Sequence, residues 1–289
     1  MNIDLASAPR VSRGRLIGIK RPVLGAVAVV LLTITLLPIP VLVWLSLVNQ
    51  RFLVLPPARG YTLDWFINLP EQRGLFTALG YSIYLGLITA VISTAIGVLA
   101  AFGVRTGVVK RTWIVQSLLT LPLTVPGLVA SMAIYMLLFR VGDVLGLRLT
   151  GSFATLLVGH LLLTLPWAFR IASAGVLGID RDLERASLDL GWSRGATFFR
   201  ITLPLLKSTI FSAATLAFIF SFENLEMSLF LVAPGSTTLP VAMLNQAETQ
   251  VNPGIAAMAV VQLALIAVLL TVVNKLFGLG RTFTGGNKK

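Results

Sequence analysis

The sequence predicts an all-α fold: a polytopic membrane protein of six transmembrane helices, with a polar helix-turn-helix elbow between the fourth and the fifth. Three observations carry this. The 289-residue chain is 56% hydrophobic and 12% charged, where a soluble domain holds about 25% charged residues. Six apolar runs each approach or exceed the ~20 residues that cross about 30 Å of hydrocarbon as a helix. One stretch, 180–204, is polar, carries both signs of charge and still keeps helical periodicity.

The elements follow in order. Residues 1–22 form a basic tail with Arg10, Arg13, Arg15, Lys20 and Arg21. The run from Val23 to Val48 exceeds the apolar core of a signal peptide, about 7–15 residues. It is read as an uncleaved first helix, kinked at Pro38 and Pro40. A polar loop follows, whose Tyr61, Trp65 and Phe66 suit a membrane interface. Leu75–Val104 is the second helix; its Gly80, Gly86, Gly97 and Gly103 let neighbouring backbones approach. After the basic loop of Arg105, Lys110 and Arg111, Trp113–Phe139 forms a third helix broken by Pro122 and Pro126. A loop at 140–152 leads to the fourth, Phe153–Gly178, which contains Pro166. The elbow comes next, then a fifth helix, Thr209–Val232. Residues 233–253 form a loop without Lys or Arg, and Ile255–Gly278 is the sixth helix. The expected organisation is one transmembrane domain, 23–278, between tails at 1–22 and 279–289.

Six crossings place both termini on one side. The tails, the 105–111 loop and the elbow region together hold 18 of the 23 Lys and Arg residues. The positive-inside rule therefore puts both termini and the elbow in the cytoplasm. The formal charge of +12 is explained by this placement, and no nucleic-acid partner is expected; lipid surrounds the chain. With no cysteine and one histidine, His160, neither a disulfide framework nor a Cys- or His-cluster metal site can be built. There is no phosphate-binding GxxxxGK[ST] loop. The chain is not expected to be an enzyme, nor to bind a cofactor itself.

Within the elbow, Leu183, Ala186, Ser187 and Leu190 share one helix face. Asp180, Asp182 and Glu184 crowd the first turn, where the helix dipole favours acids. Arg185 is within reach of Asp182 and Asp189. Gly191 suits a helix C-terminus that needs positive φ. A second short piece runs through Phe198, Phe199 and Ile201, and Pro204 suits the first turn of a new helix. The small-residue face is left free to dock something.

This stretch resembles the EAA loop of permease subunits of binding-protein-dependent ABC importers. Their pattern is Glu-Ala-Ala, three residues, Gly, nine residues, Ile, one residue, Leu-Pro. Gly191, Ile201, Leu203 and Pro204 stand at that spacing, and Ala186 matches the first Ala. Arg185 takes the Glu position and Ser187 the second Ala; Glu184 lies one residue early. Further on, Ser221-Phe222-Glu223-Asn224, Pro234 and Leu239-Pro240 resemble the pattern of spermidine/putrescine-type permeases, a subgroup that also serves opines and aminoethylphosphonate.

The resemblance implies a permease subunit in a bacterial inner membrane, importing a small polar, amine-bearing solute such as a polyamine. Its implied partners are a cytoplasmic ABC ATPase dimer that uses ATP, a soluble solute-binding protein and a second permease subunit, a paralogue rather than a copy. It also makes Glu184, Arg185, Ala186, Ser187, Gly191, Ile201 and Pro204 the residues that couple to the ATPase.

Glu223 and Glu226 are the unusual acids, set in the fifth apolar run beside Asn224. A charge at that depth must face protein or water. Helical spacing puts both acids on one face, and about 1.5 Å per residue from Thr209 puts Glu223 roughly 21 Å up. They are candidates for a translocation path that attracts cations, with Asn224 beside them; a structural hydrogen-bonding role is the other reading, and Gln262 of the sixth helix could line the path or glue helices together. His160 is expected to bond a neighbouring helix, and Arg170 to snorkel to the interface. The rival function is a secondary transporter or channel driven by an ion gradient, with Glu223 and Glu226 as its ion sites.

Overall fold

A computed structural model describes residues 21–50, 60–233, 235–249 and 252–278. The tails expected at 1–22 and 279–289, apart from the start of the first helix, lie outside the described residues, as do Arg51, Arg59 and Pro234. The described chain is helical, with isolated bridges Val48–Tyr61 and Ala233–Ser236 as its extended pairings. Six stretches are long and apolar enough to cross a membrane: Val23–Ser46, Arg73–Arg105, Gly127–Leu145, Phe153–Leu177, Arg194–Phe222 and Pro253–Phe277.

The first crossing is two helices, α1 (Arg21–Leu36) and α2 (Pro38–Ser46), divided at Leu37 by the expected prolines. The connecting segment carries α3 (Asp64–Ile67) and a 3-10 turn. There the Trp65 indole N–H donates to the Val48 carbonyl at 2.9 Å. The second crossing is α4 (Arg73–Arg105).

The run expected as the third helix is divided more deeply than a kink, and its last part, Gly127–Leu145, is the crossing. The run consists of α5 (Thr112–Thr120), a 3-10 turn at Leu121–Thr124, and α6 (Gly127–Leu145) after extended Val125 and Pro126. A proline cannot donate to the preceding turn and clashes with it, so Pro122 and Pro126 together stop the helix. At its other end α6 runs on past the expected Phe139, until Gly146 adopts φ +67°.

The fourth crossing, α7 (Phe153–Leu177), keeps Pro166 inside an unbroken helix. The elbow contains α8 (Arg181–Asp189) and α9 (Arg194–Thr197), followed by a π-helical turn, Phe198–Thr202. The fifth crossing ends with α10 (Leu203–Phe222), and the run expected to continue it resumes after a break as α11 (Glu226–Leu231). The segment expected to be loop holds a helix, α12 (Leu239–Thr249), whose first N–H donates to the Ser82 hydroxyl of α4 at 2.8 Å. The last crossing is α13 (Pro253–Phe277).

The centre is the trio α4, α7 and α10. In lipid there is little hydrophobic drive between helices, so close packing of small residues and interhelical hydrogen bonds hold them together. A Cβ on Gly97 would stand 2.9 Å from the Ala168 backbone of α7, so only glycine permits this approach. One turn away, the buried Ser93 and Thr164 hydroxyls lie 2.6 Å apart. Phe218, Phe222, Leu239 and Met258 fill the space between α4, α10, α12 and α13. Phe169, Val176 and Leu206 fill the end near the elbow, and Leu85, Leu156 and Leu231 the far end. By contrast, residues 23–40 are exposed throughout.

Candidate functional site: the elbow and the broken fifth crossing

The elbow is built from local chemistry. The Asp180 carboxylate caps α8 by accepting from the Asp182 N–H at 2.9 Å. The Gly191 N–H and the Trp192 N–H close the helix end on the Leu188 and Ser187 carbonyls, with Gly191 at φ +87°. This is the left-handed terminator that a glycine supplies without steric cost. The Ser193 hydroxyl then caps α9.

Pro204 stands in the first turn of α10, as the sequence suggested, but no break precedes that turn. The chain passes from α9 into α10 without leaving helical geometry, and the Leu203 N–H reaches five residues back to the Phe198 carbonyl. A proline ring would collide with the carbonyl four residues earlier. The wider π turn ahead of it removes that collision. Ile201 lies within this turn, half-buried.

The face expected to be free is only partly so. Leu183, Ala186 and Leu190 are exposed, but Ser187 is buried, 2.9 Å from the Thr197 hydroxyl of α9. Ser187 therefore ties the two arms of the elbow together. Arg185 points outward and pairs with Asp182 at 3.1 Å; its other expected acid, Asp189, is not a partner.

Glu184 points the other way. Its carboxylate accepts both Nη groups of Arg105, at 3.1 and 3.0 Å, and the Thr202 hydroxyl at 2.8 Å. Arg105 also donates to the Ile179 carbonyl at 3.2 Å, and only 6% of its side chain is exposed. This bidentate pair, a strong and directional form of ion pair, fastens α8 to the end of α4 and to the π turn. Sequence reasoning missed Arg105 because nothing in one sequence links it to a residue 79 positions later.

The second candidate region is the break at the end of the fifth crossing. Glu223 does not share a helix face with Glu226, as the spacing suggested it would. The helix ends at Phe222, Glu223 is its C-terminal cap, and Glu226 opens α11. The cause is local competition for backbone groups. The Asn224 side-chain oxygen accepts the Met227 N–H at 2.7 Å, and the Ser228 hydroxyl donates to the Asn224 carbonyl at 2.9 Å.

His160 of α7, fully buried, spans the break. Its Nδ1 lies 2.8 Å from the Ser221 hydroxyl before it, and its Nε2 lies 3.1 Å from the Ser228 hydroxyl after it. Ser228 has committed its proton to Asn224, so it accepts from Nε2–H, and Nδ1 accepts from Ser221. His160 is thus the interhelical hydrogen bonder the sequence suggested, with two partners rather than one.

Both acids are exposed. The Glu226 carboxylate abuts Gly127, the first residue of α6, in the space a Cβ there would take. Two discontinuities therefore meet: the start of α6 after Pro126 and the start of α11 after Asn224. Unpaired N–H groups at a helix start attract negative charge. Gln262 is half-buried on α13, which packs chiefly on α2 and α10, so it stands apart from Glu226. Arg170 lies over the Trp167 ring at 5.6 Å.

Six helices of membrane length, with an elbow between the fourth and fifth, define a polytopic membrane protein. Residues 93–280 match the family described as binding-protein-dependent transport system inner membrane component. The chain belongs to that family, and is a multi-pass inner-membrane permease subunit of an ABC importer.

Among curated relatives, it is 26% identical to the putrescine transport system permease protein PotI of Escherichia coli K12 over 73% of this chain and 75% of that one. It is 30% identical to PhnV of Salmonella typhimurium LT2, named for 2-aminoethylphosphonate transport, over 89% and 93%. To the spermidine/putrescine permease protein PotC of Escherichia coli K12 it is 25% identical, over 87% and 91%. Among solved structures, a bacterial ABC transporter involved in alginate import shares the fold, with a TM-score of 0.71 at 14% identity over 88% of this chain and 93% of that chain. The methionine transporter MetNI does so with a TM-score of 0.56 at 16% identity over 75% and 97%.

Proposed function

We propose that this chain is one of two non-identical permease subunits of an importer for a small amine-bearing solute, with the polyamines first among candidates. A soluble binding protein delivers the solute at the outer face. Two cytoplasmic ATPase subunits bind and hydrolyse ATP, and this chain binds no cofactor itself. Both termini and the elbow are cytoplasmic. Closure of the ATPases on ATP moves the elbow as a rigid lever, and the two permease halves alternate access as a population shift between two arrangements.

The observation that carries the solute class is the pair Glu223 and Glu226, exposed at the end of the fifth crossing. The solutes for which PotI, PotC and PhnV are named all carry a primary amine. A carboxylate attracts an ammonium group more strongly in a membrane-embedded cavity than in bulk water, because the effective dielectric is lower. The second subunit is supported by the first crossing, whose apolar residues 23–40 find no cover among the described residues. ATPase coupling is supported by Gly191, Ile201 and Pro204 at the EAA spacing, on an elbow whose Arg185 and Ala186 face outward while Glu184 and Ser187 brace it from within.

The test is uptake into proteoliposomes holding the assembled complex, with its binding protein outside and ATP inside. Labelled putrescine, spermidine and 2-aminoethylphosphonate are compared with an uncharged solute of similar size. ATP-dependent accumulation of an amine is the expected result. Accumulation driven by an ion gradient without ATP would overturn the reading.

A further inference from the structure

An open cavity of about 450 Å³ lies between the end of α4 and the elbow. Arg105, Arg181, Arg185 and Arg194 stand around it, with Phe102 and Phe198 as an apolar part of the lining. Glu184 is the one carboxylate among the described lining residues, and it is already occupied by Arg105 and Thr202. Arg181 uses one N–H on the Arg105 carbonyl at 3.0 Å. Arg194 has no ion-pair partner among the described residues. Arg185 holds Asp182, but both side chains are at least 70% exposed, and such a pair is weak and readily exchanged. Counting Asp182 as well as Glu184, the four arginines leave an excess of two positive charges.

We propose that this cavity receives an acidic side chain of the ATPase subunit, with an apolar neighbour seated against Phe102 and Phe198. The proposal rests on the reading of the elbow as the ATPase-docking element. Charge complementarity selects the occupant. The chain's own tails, with Arg10, Arg13, Arg15 and Lys20 at one end and Arg281, Lys288 and Lys289 at the other, are basic and are repelled by the cavity. Arginine is suited to the planar, two-point recognition of a carboxylate. The position that carries Glu in the EAA pattern carries Arg185 here, so the elbow presents the opposite charge at that position. An ATPase surface shaped to receive a glutamate would oppose Arg185, which makes this docking selective as well as attractive.

The experiment uses the complete complex in phosphatidylcholine nanodiscs, with the permease tagged and the retained ATPase quantified across a salt series. Arg185→Glu/Arg194→Glu is expected to lower retention at least tenfold, and Arg185→Gln/Arg194→Gln to lower it less. Reversing one acid on the ATPase docking surface to Arg should restore binding to the Glu variant. Retention equal to wild type in both variants overturns the proposal. So does a loss confined to nanodiscs containing phosphatidylglycerol, which would make a lipid headgroup the occupant. If the wild-type permease retains no ATPase in any nanodisc, the docking reading itself fails and the proposal with it.

Discussion

The His160 Nδ1 and the Ser221 hydroxyl lie 2.8 Å apart in the protein interior, and the same ring reaches Ser228 on the other side of the helix break. One side chain of α7 thus fixes both ends of an interruption at the end of the fifth crossing. His160→Ala leaves two buried hydroxyls without that partner, at about 1–3 kcal/mol for each group left unsatisfied. Thermal unfolding of the purified complex should shift down, and amide exchange at 223–225 should accelerate. His160→Gln, which keeps one donor and one acceptor, should fall between. Unchanged exchange at the break in the Ala variant would show that the ring only fills space.

The Arg105–Glu184 pair predicts a coupling energy between α4 and the elbow. Arg105 is 6% and Glu184 27% exposed, so removing one partner strands a largely desolvated charge. A full burial would cost about 3–5 kcal/mol, and the partial exposure of Glu184 lowers this to about 1–3 kcal/mol. A double-mutant cycle of Arg105→Gln and Glu184→Gln should return a coupling well above the ~0.5 kcal/mol found between independent sites. Additive single effects would show that the pair does not anchor the elbow.

Gly191 isolates a backbone effect. A Cβ there meets nothing within 4 Å, so the cost of Gly191→Val begins with the φ of +87° rather than with a Cβ clash. A left-handed conformation costs about 1–2 kcal/mol for a residue with a Cβ. Insertion and assembly should survive, while solute-stimulated ATPase activity should drop several-fold. Gly191→Asn, which tolerates this region better, should retain more. Equal coupling in all three proteins would show that the turn does not transmit force.

Sidedness has a direct readout. A reporter active only in the cytoplasm should work when fused at Gly195 or at the C-terminus, and fail at Gly60 or Gly235. The basis is the Lys and Arg asymmetry. Activity at Gly235 would overturn the six-crossing arrangement.

The crossings were legible because an apolar run of membrane length has few alternatives. The Gly191 terminator was legible because only glycine takes that φ without steric cost. The elbow's spacing also carried the family. Three features were hidden for a common reason. The end of α10 at Phe222 falls inside an apolar run and depends on hydrogen bonds from Asn224, Ser228 and His160. Arg105 reads as an ordinary basic helix end until Glu184 is placed beside it. Gly127 reads as a helix start until Glu226 is seen against it. Each depends on a partner distant in sequence or on the side-chain bonds of a few polar residues, which hydropathy does not record. The π turn before Pro204 was hidden differently: the proline signals a helix start, and only the continuous backbone shows the start to be internal.

The seat of Glu226 separates charge from shape in the candidate path. Glu226→Gln and Glu223→Gln keep volume and hydrogen-bonding capacity and remove the charge. If the acids attract an amine, the double variant should assemble normally and retain ATPase, while the apparent KM for putrescine rises at least tenfold. Glu226→Gln also removes a charge at the start of α6, worth about 0.3–1 kcal/mol, too little by itself to disrupt assembly. Gly127→Ala makes the complementary change: its Cβ enters the space of the Glu226 carboxylate, which moves the charge without removing it. Uptake should then fall for putrescine and change little for an uncharged competitor. Complex yield is measured in the same preparations, so a folding defect is recognised as such. Wild-type putrescine uptake by the double Gln variant at normal yield would remove both acids from the path, and with them the electrostatic reason for an amine-bearing solute.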